Sequence, residues 1–328
     1  MILSRRQCIV GTLMAAPAWA LRGFAKDPAS PQAEPGSLQA IRPKGVLIET
    51  HVHLFSTDLA RFPLNPLSYK PKPLPVEDYV KFAVAARIDH AVAVQPEPYQ
   101  DDHRYLEYSF TREPFPGFFK GTCLFDPIDP RTPERMRALV RRNPNRIVAL
   151  RIHELYPAGT PPTRTGAIRN RDLNDPQMLV TWRATHDLGL AMQIQSIPRF
   201  AVPIGKLAAK FPSMPIVLDH LDRPGQGTPQ EYDQVLALAR LPRVYMKFST
   251  TGVESASRQP FPHLDAKPLV KRVYEAFGPH RILWGELGAN TEQFSRAVQL
   301  FDAMFDFVPE PDKAAIRGLN AKKLFAFS

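Results

Sequence analysis

A regular alternation of short apolar segments with longer amphipathic segments constrains this chain more than any other feature of its sequence. Eight apolar segments are short enough to be strands that are covered on both faces. The first lies within 46–55, and the others are predicted at 88–94, 118–125, 147–152, 190–195, 215–219, 244–248 and 281–284. Helices are predicted at 76–86, 101–111, 132–142, 175–188, 202–211, 229–240, 267–277 and 291–307.

This alternation predicts an α/β fold, namely a single-domain (β/α)8 TIM barrel that covers residues 43–328. The length of 328 residues fits one large barrel or two average domains. A doubly wound open sheet is the alternative. That fold usually places a glycine-rich phosphate loop after its first strand, and no such loop follows the first strand here.

The N-terminus has the pattern of an export signal. Arg5 and Arg6 precede an apolar run at 9–18, and small residues at 18–20 and 23–25 are candidate cleavage sites. The arginine pair resembles a twin-arginine signal, and an ordinary Sec signal is the alternative. We therefore predict a signal peptide at 1–25, a flexible lead-in at 26–42 and a periplasmic location without stable membrane association. Only Cys123 would remain, so we expect no disulfide and a buried thiol.

Polar side chains stand where the predicted apolar strands end. The first strand ends in His51-Val52-His53, and alternate residues on a strand share a face, so both histidines should point the same way. Buried polar groups are costly without partners, and the active sites of such barrels lie at the carboxyl ends of the strands. The other polar residues at these ends are Gln95, Arg151, His153, Gln193, Gln195, Asp219, His220, Asp222, Arg223, Lys247 and Glu286.

These motifs resemble the amidohydrolase superfamily and, within it, the lactonase-like branch of the amidohydrolase-2 group. That branch includes 2-pyrone-4,6-dicarboxylate lactonase and sugar lactonases. The segment 49–53 is similar to the first-strand H-x-H of the family, and Gln95 with Tyr99 is similar to its second-strand signature. The most specific match is 217–224, which contains His220 and Arg223. The segment 319–325 is similar to the closing helix of the family.

The resemblance implies hydrolysis of a lactone or similar ester of a small carboxylated molecule. In this reaction water attacks the carbonyl carbon, a carboxylate takes the proton, and histidines and arginines polarise the carbonyl and hold the substrate carboxylate. The resemblance implies His51, His53 and His220 as catalytic residues. We add Glu286 to this set as the carboxylate nearest to the strand-eight position of the family's base. The residues that the resemblance implies as substrate-binding are Arg151, Arg223, Tyr99 and Gln193.

Two departures from the family pattern bear on the mechanism. The strand-five position of the metal-binding histidine is occupied by Gln193 or Gln195, which suits the branch that can work without metal. The strand-eight aspartate position holds Leu287, which cannot take a proton. Glu286 lies one residue away and would face the other side of the strand unless the backbone shifts. Gly285 is its neighbour and permits unusual backbone angles.

Two other functions compete with the lactonase hypothesis. One is a catalytically impaired barrel that binds an anionic small molecule, and the other is a metal-dependent amidohydrolase or decarboxylase with a divalent metal at His51, His53 and His220. We expect no cofactor in the leading hypothesis. The net charge of +10 suits an anionic substrate, and no nucleic-acid motif accompanies it. The sequence leaves the oligomeric state open.

Overall fold

The computed structural model of the protein describes residues 35–328. The predicted signal peptide at 1–25 lies outside the described residues, as does the first part of the predicted lead-in. The remainder of the lead-in differs from the prediction, because Pro35–Ile41 form a helix, α1. Leu38 of this helix is buried, so an apolar side chain attaches the segment to the core.

Eight parallel strands form one sheet in the order of the sequence, which confirms the predicted barrel. The hydrogen-bonding register places Arg151 beside Gln193 and His153 beside Gln195 on adjacent strands. Polar side chains from consecutive strands are thereby brought to the same level of the barrel. The strands are β1 Ile48–Val52, β2 His90–Val94, β3 Phe119–Leu124, β4 Ile147–Glu154, β5 Ala191–Ser196, β6 Ile216–Leu218, β7 Val244–Phe248 and β8 Ile282–Trp284.

Helices cover the outside of the sheet, and the eight predicted helices are present within a few residues of their predicted bounds. The helices Thr250–Ala256 and Glu310–Ala314 were not predicted. Their capping is visible in the sequence: Asp175 accepts a hydrogen bond at the start of one helix, and Thr228 with Glu231 forms a capping box at another. None of the described helices is both long and apolar enough to cross a membrane. The helices are α2 Val76–Ala85, α3 Arg104–Phe110, α4 Thr132–Arg142, α5 Pro176–Asp187, α6 Ala201–Ala208, α7 Pro229–Ala237, α8 Thr250–Ala256, α9 Lys267–Phe277, α10 Thr291–Met304, α11 Glu310–Ala314 and α12 Asn320–Leu324.

Side chains hold β1 and β8 together where the barrel closes. The hydroxyl of Thr50 donates a hydrogen bond to the carbonyl oxygen of Trp284 at 2.7 Å. The ammonium of Lys247 donates to the carbonyl oxygen of Thr50 at 3.0 Å. Gly285 lies so close to β1 that a β carbon on it would stand 2.8 Å from Cβ of His51. A larger residue at position 285 would therefore push the closing strands apart at the first of the two histidines.

The C-terminal segment fills the amino end of the barrel. Phe325 and Phe327 are buried against apolar side chains near the starts of the strands, where they form a small separate core. This end of the barrel is mostly apolar, although the ring of His90 stacks on Phe327 at 4.5 Å between centroids. The polar side chains of the candidate site lie at the opposite end. The other buried members of this core are Ile48, Val92, Val94, Ala149, Ala191, Val217, Leu283 and Ala321.

Candidate active site

His51 and His53 stand together at the carboxyl end of β1, as the alternation of side chains predicts. Their Nε2 atoms are 3.3 Å apart, and Nδ1 of His53 lies 2.8 Å from the carbonyl oxygen of Val94. That carbonyl can only accept, so Nδ1 of His53 carries the hydrogen and Nε2 has the free lone pair. Burial, together with the nearby charge of Arg151, lowers the pKa of His53 to about 3. Burial also lowers the pKa of His51 well below its usual value, so both imidazoles are neutral at pH 7.

The carboxylate of Asp219 lies at the centre of the polar network beneath these histidines. Its Oδ2 accepts hydrogen bonds from Nε of Arg151 at 3.2 Å and from Nε2 of Gln193 at 2.9 Å. Its Oδ1 lies 2.9 Å from the ammonium of Lys247. Burial alone would raise the pKa of Asp219, but Lys247, His51 and Arg151 hold it well below its ordinary value. Asp219 is therefore a buried anion whose charge is matched by two cations.

Arg151 connects this network to both histidines of β1. Its Nη2 donates to Oε1 of Gln195 at 2.6 Å and lies 3.3 Å from Nε2 of His51. Its Nη1 lies 3.5 Å from Nε2 of His53. With 2% of its side chain exposed, the guanidinium forms part of the floor of the site. The predicted contact of Arg151 with a substrate carboxylate stays a prediction.

Lys247 of β7 occupies the other side of His51. Its Nζ lies 3.3 Å from Nδ1 of His51, in addition to its contacts with Thr50 and Asp219. Burial lowers the pKa of Lys247, and the adjacent Asp219 opposes that shift. From the sequence, Lys247 is one polar strand end among many. Lys247 lies inside an otherwise apolar strand, and this feature of the sequence could have indicated that it is central to the site.

The strand-six motif forms an unusual turn that places His220. Four consecutive residues, His220 to Arg223, have left-handed backbone angles, with φ between 49° and 57°. Such angles cost about 1–2 kcal/mol per residue outside glycine, so neighbouring groups must hold the turn. The hydroxyl of Tyr232 donates to the carbonyl oxygen of Leu221 at 3.0 Å, and Ser196 bonds to the carboxyl of Asp222. The turn brings the ring of His220 within 4.5 Å of the ring of His51, measured between centroids.

Gly252 makes room for this turn. A β carbon on Gly252 would stand 2.6 Å from the carbonyl oxygen of His220, which is closer than van der Waals contact permits. The absence of a side chain in the first turn of α8 therefore allows the strained segment to pack against it. The neighbouring Ser249 uses its hydroxyl to contact Nδ1 of His220 at 2.9 Å.

Glu286 enters the site because its backbone is left-handed, with φ of 62°. This is the backbone change that the sequence requires if Glu286 is to reach the histidines. Its two carboxylate oxygens accept hydrogen bonds from the backbone nitrogen and the hydroxyl of Thr251, each at 2.8 Å. Its Oε1 lies 3.4 Å from Nδ1 of His220. Leu287 instead buries its side chain completely in the core.

The buried carboxyl of Glu49 fixes the turn that carries Glu286. It accepts hydrogen bonds from the backbone nitrogens of His51 at 2.6 Å, Glu286 at 2.9 Å and Leu287 at 2.6 Å. Burial raises its pKa to about 7 in spite of these three donors. Glu49 was not predicted from the sequence to be a functional residue. The available signal was a charged residue inside a buried strand, two positions before the first histidine of the H-x-H.

Two predicted substrate-binding residues, Tyr99 and Gln193, have their polar atoms engaged by other residues of the protein. The hydroxyl of Tyr99 accepts a hydrogen bond from the backbone nitrogen of Ser56 at 2.8 Å, and Tyr99 is buried. Gln193 is fully buried, with its oxygen bonded to Thr122 and its nitrogen bonded to Asp219. Their polar atoms are engaged within the protein, so both residues support the site rather than reach into it.

Arg223, the other predicted substrate-binding arginine, retains a free donor. The residue as a whole is partly exposed, whereas its Nε is itself buried and has no hydrogen-bond partner among the described residues. Burial and the nearby Arg151 lower the pKa of its guanidinium, which stays positive at pH 7. An unpartnered and partly desolvated guanidinium suits contact with a substrate carboxylate.

A cavity of about 340 Å³ opens beside the two histidines. Its lining combines imidazole, carboxyl and hydroxyl groups with one guanidinium, and it adjoins the closure between β1 and β8. The polar and charged side chains in its wall include Glu49, His51, His53, Thr251, Glu286 and Arg296.

His51, Asp219 and His220 form a group that could hold a metal ion, because their donor atoms all lie within 4.8 Å of one another. His53, which the sequence-based alternative included, is not part of this group. The same donor atoms face cations of the protein itself, since Lys247 and Arg151 contact both Asp219 and His51.

Comparisons with known proteins agree with the fold. The sequence model of the Amidohydro_2 family, described as Amidohydrolase, matches residues 48–327. A 4-sulfomuconolactone hydrolase from Hydrogenophaga intermedia is 24% identical over 315 residues, which cover 90% of this chain and 93% of that protein.

Two solved structures resemble this one. A candidate 2-pyrone-4,6-dicarboxylic acid hydrolase from Pseudomonas putida has a TM-score of 0.69, with 20% identity, 87% coverage of this chain and 99% of that one. An amidohydrolase from Burkholderia multivorans with bound zinc has a TM-score of 0.64, with 16% identity, 87% coverage of this chain and 100% of that one.

Glu49 predicts a specific dependence of stability on pH. Because its pKa is raised from 4.5 to about 7 in the folded state, its contribution to stability is complete below pH 4.5 and is lost as the pH rises through 7. The free energy of unfolding of the wild type should therefore fall by about 2 kcal/mol more between pH 5 and pH 8 than that of Glu49→Gln. Urea denaturation at both pH values measures this difference. The exposed Glu254→Gln is the matched control, and an unaltered slope in Glu49→Gln would contradict the assignment.

Proposed function

The chain belongs to the amidohydrolase family, and from this premise we propose that it hydrolyses the lactone ring of a small carboxylated molecule. Its predicted place in the lactonase-like branch is confirmed by its relatives, and it is a hydrolase of the amidohydrolase type. The observation that carries the proposal is the pairing of His220 with Glu286 above the cationic floor of Arg151 and Lys247. This arrangement offers a base for water and positive charge for a carbonyl oxygen.

His220 is suited to take the proton from the attacking water. Its Nδ1 faces the hydroxyl of Ser249 and the carboxylate of Glu286, and its Nε2 makes no hydrogen bond with the described residues. Burial lowers the pKa of His220 to about 4, so the imidazole is neutral at pH 7. With the hydrogen on Nδ1, the lone pair of Nε2 is free for water, and Glu286 stabilises the imidazolium that forms. In this mechanism Glu286 acts through His220 and so replaces the strand-eight aspartate of the family pattern, whose position holds Leu287.

The floor of the site supplies the electrostatic part of the mechanism. Negative charge develops on the carbonyl oxygen when water attacks, and the fixed charges of Arg151 and Lys247 stabilise it. Both cations are already oriented by Asp219, so they need no reorganisation during the reaction. The neutral His51 and His53 lie next to this floor, where they can donate to or accept from the substrate. Arg223 holds the substrate carboxylate.

The Glu286→Gln variant tests this mechanism. Turnover of muconolactones and 2-pyrone lactones should fall about 10²–10⁴-fold, the range for losing general-base assistance, while substrate binding stays close to that of the wild type. Wild-type kcat should decline below pH 4 as His220 becomes protonated, because its pKa is about 4. Glu254→Gln, which removes an exposed carboxylate, is the control for the change in net charge. A Glu286→Gln enzyme with full kcat would eliminate this role for Glu286.

The charges around the candidate metal ligands support a reaction without metal. Both ring nitrogens of His51 face a cation, namely Lys247 at Nδ1 and Arg151 at Nε2, each at 3.3 Å. The carboxylate of Asp219 is paired with the same two cations. A divalent ion at His51, Asp219 and His220 would lie beside the positively charged side chains of Lys247 and Arg151, and the repulsion would weaken its binding. These residues therefore do not fit a tightly bound metal, and Lys247 with Arg151 supplies the positive charge instead.

Elemental analysis tests the absence of a metal requirement. Protein that is purified without chelators should contain far less than one transition-metal atom per chain, and dialysis against EDTA should leave lactone turnover unchanged. The reason is the repulsion between a divalent ion and the two cations beside its candidate ligands. Stoichiometric zinc, manganese or iron, together with loss of activity on chelation, would contradict the proposal.

We also propose that the protein is exported to the periplasm by the twin-arginine route. The support is the sequence alone, since Arg5 and Arg6 precede the apolar run at 9–18. Replacement of both arginines by lysine should keep the chain in the cytoplasm with its N-terminus intact. Fractionation and N-terminal sequencing of the wild type and the double variant measure this, and an unprocessed cytoplasmic wild type would contradict it.

A further inference from the structure

The loop 53–75 between β1 and α2 encloses a second cavity, of about 610 Å³, which we call the loop cavity. Loops of more than about 12–15 residues without a helix or strand of their own are uncommon in compact domains and usually serve a function or are disordered. This loop is held in place. The backbones of Phe55 and Leu74 exchange two hydrogen bonds of 2.9 Å at its base. Further along, the hydroxyl of Ser68 donates to Oε1 of Glu97 at 3.0 Å.

The wall of the loop cavity is mostly apolar and is built largely from rings. No carboxylate lies among the described residues that line it. Prolines have rigid rings with a fixed φ, so they give the wall a preformed shape. Leu59 and Tyr69 are exposed for 51% and 53% of their surface, and this apolar surface would be stabilised by a covering group. The aromatic and proline rings of the wall are Phe55, Pro63, Pro66, Tyr69, Pro71 and Pro73.

The loop cavity adjoins the candidate active site. The ring of Phe55, which lines the loop cavity, lies 6.3 Å from the ring of His53, measured between centroids. Leu74, the partner of Phe55 at the base of the loop, lines the cavity beside the two histidines. The hydroxyl of Tyr69 is the buried end of this half-exposed residue, because burial raises its pKa, and the charge of Arg151 opposes that rise. The pair of Phe55 and Leu74 therefore stands between two neighbouring cavities.

An uncharged aromatic ring is the group that this wall fits best. Cavities of about 300–1,000 Å³ that are lined mainly by apolar and aromatic side chains typically bind small molecules. A flat ring can lie against proline rings and pack against the aromatic side chains of the wall, and its burial removes apolar surface from water. A charged group would lose its hydration, and Lys70 is the only charged side chain among the described residues of the wall.

We propose that the loop cavity binds an aromatic substituent of the substrate while the lactone ring lies beside His51 and His53. This inference rests on the proposed lactone hydrolysis and narrows the substrate to lactones that carry an aromatic ring next to the ring that is opened. The loop cavity itself can be tested by binding alone. Its residues act on recognition and take no part in the proton transfer.

Fluorescence titration with N-phenyl-1-naphthylamine, an uncharged aromatic probe that brightens in apolar surroundings, tests the loop cavity without turnover. The wild type should bind one equivalent of the probe. Leu59→Asn should bind it about three- to tenfold more weakly, because an apolar part of the wall becomes polar. Leu264→Asn replaces a leucine of matching exposure, 52%, outside the wall, and should leave the affinity unchanged.

The remaining controls separate folding from binding. Thermal unfolding of each variant shows whether it is folded, and Tyr69→Ser repeats the test at a second exposed position of the wall. Absence of saturable probe binding by the wild type would overturn the loop cavity as an aromatic site. The same loss of affinity in Leu59→Asn and Leu264→Asn would also overturn it.

Turnover tests the link to the substrate. The wild-type kcat/KM for a carboxylated γ-lactone with a phenyl substituent should exceed that for the unsubstituted γ-lactone about 10- to 100-fold, because the phenyl ring is buried. Leu59→Asn should lower kcat/KM for the phenyl compound only. Equal kcat/KM for the two lactones in the wild type would overturn the role of the loop cavity in substrate recognition. If the probe binds in the loop cavity but neither lactone is opened, the proposed reaction is wrong and the aromatic site stands.

Discussion

The buried ion cluster of Asp219, Lys247 and Arg151 determines the rest of the site. A single carboxylate inside the barrel would be costly, and a single buried cation would be equally costly. Together they are matched, and each also bonds to a neighbouring strand: Asp219 to Gln193, Lys247 to Thr50, and Arg151 to Gln195. The cluster therefore ties β1, β4, β5, β6 and β7 together at one level. It also places two positively charged side chains, those of Lys247 and Arg151, next to His51.

Strain in the backbone positions the remaining groups. The left-handed turn after β6 presents His220, and the left-handed residue after β8 presents Glu286. Each depends on a neighbour that no pattern of apolar residues would reveal: Gly252 makes space for the first, and Glu49 binds the second through the backbone. Together the two conformations bring the carboxylate of Glu286 and the hydroxyl of Ser249 next to Nδ1 of His220. His220 and Glu286, the residues proposed to move the proton, therefore lie on irregular backbone at the ends of regular strands.

The sequence predicted the regular part well, because parallel strands covered on both faces are apolar runs and amphipathic helices have a clear period. It also predicted the side chains at the strand ends, since alternation along a strand fixes that His51 and His53 share a face. It could not predict which of these side chains point into the cavity. Tyr99 and Gln193 have the right chemistry but are engaged by Ser56, Thr122 and Asp219, and these bonds depend on loops and on strands distant in sequence. The helix at Pro35–Ile41 was also missed, because the lead-in sequence shows little amphipathic periodicity.

The phenylalanines that fill the amino end of the barrel restrict how substrate can enter and how product can leave. With Phe325 and Phe327 packed against apolar side chains of the strands, the described part of the chain leaves no passage from one end of the barrel to the other. Substrate and product must use the same entrance, beside β1 and β8. Under the proposed reaction, ring opening adds a carboxylate, so the product that leaves is more negative than the substrate that arrived. The cationic floor that favours the reaction then also retards departure, and release of the opened acid becomes a natural limit on the rate.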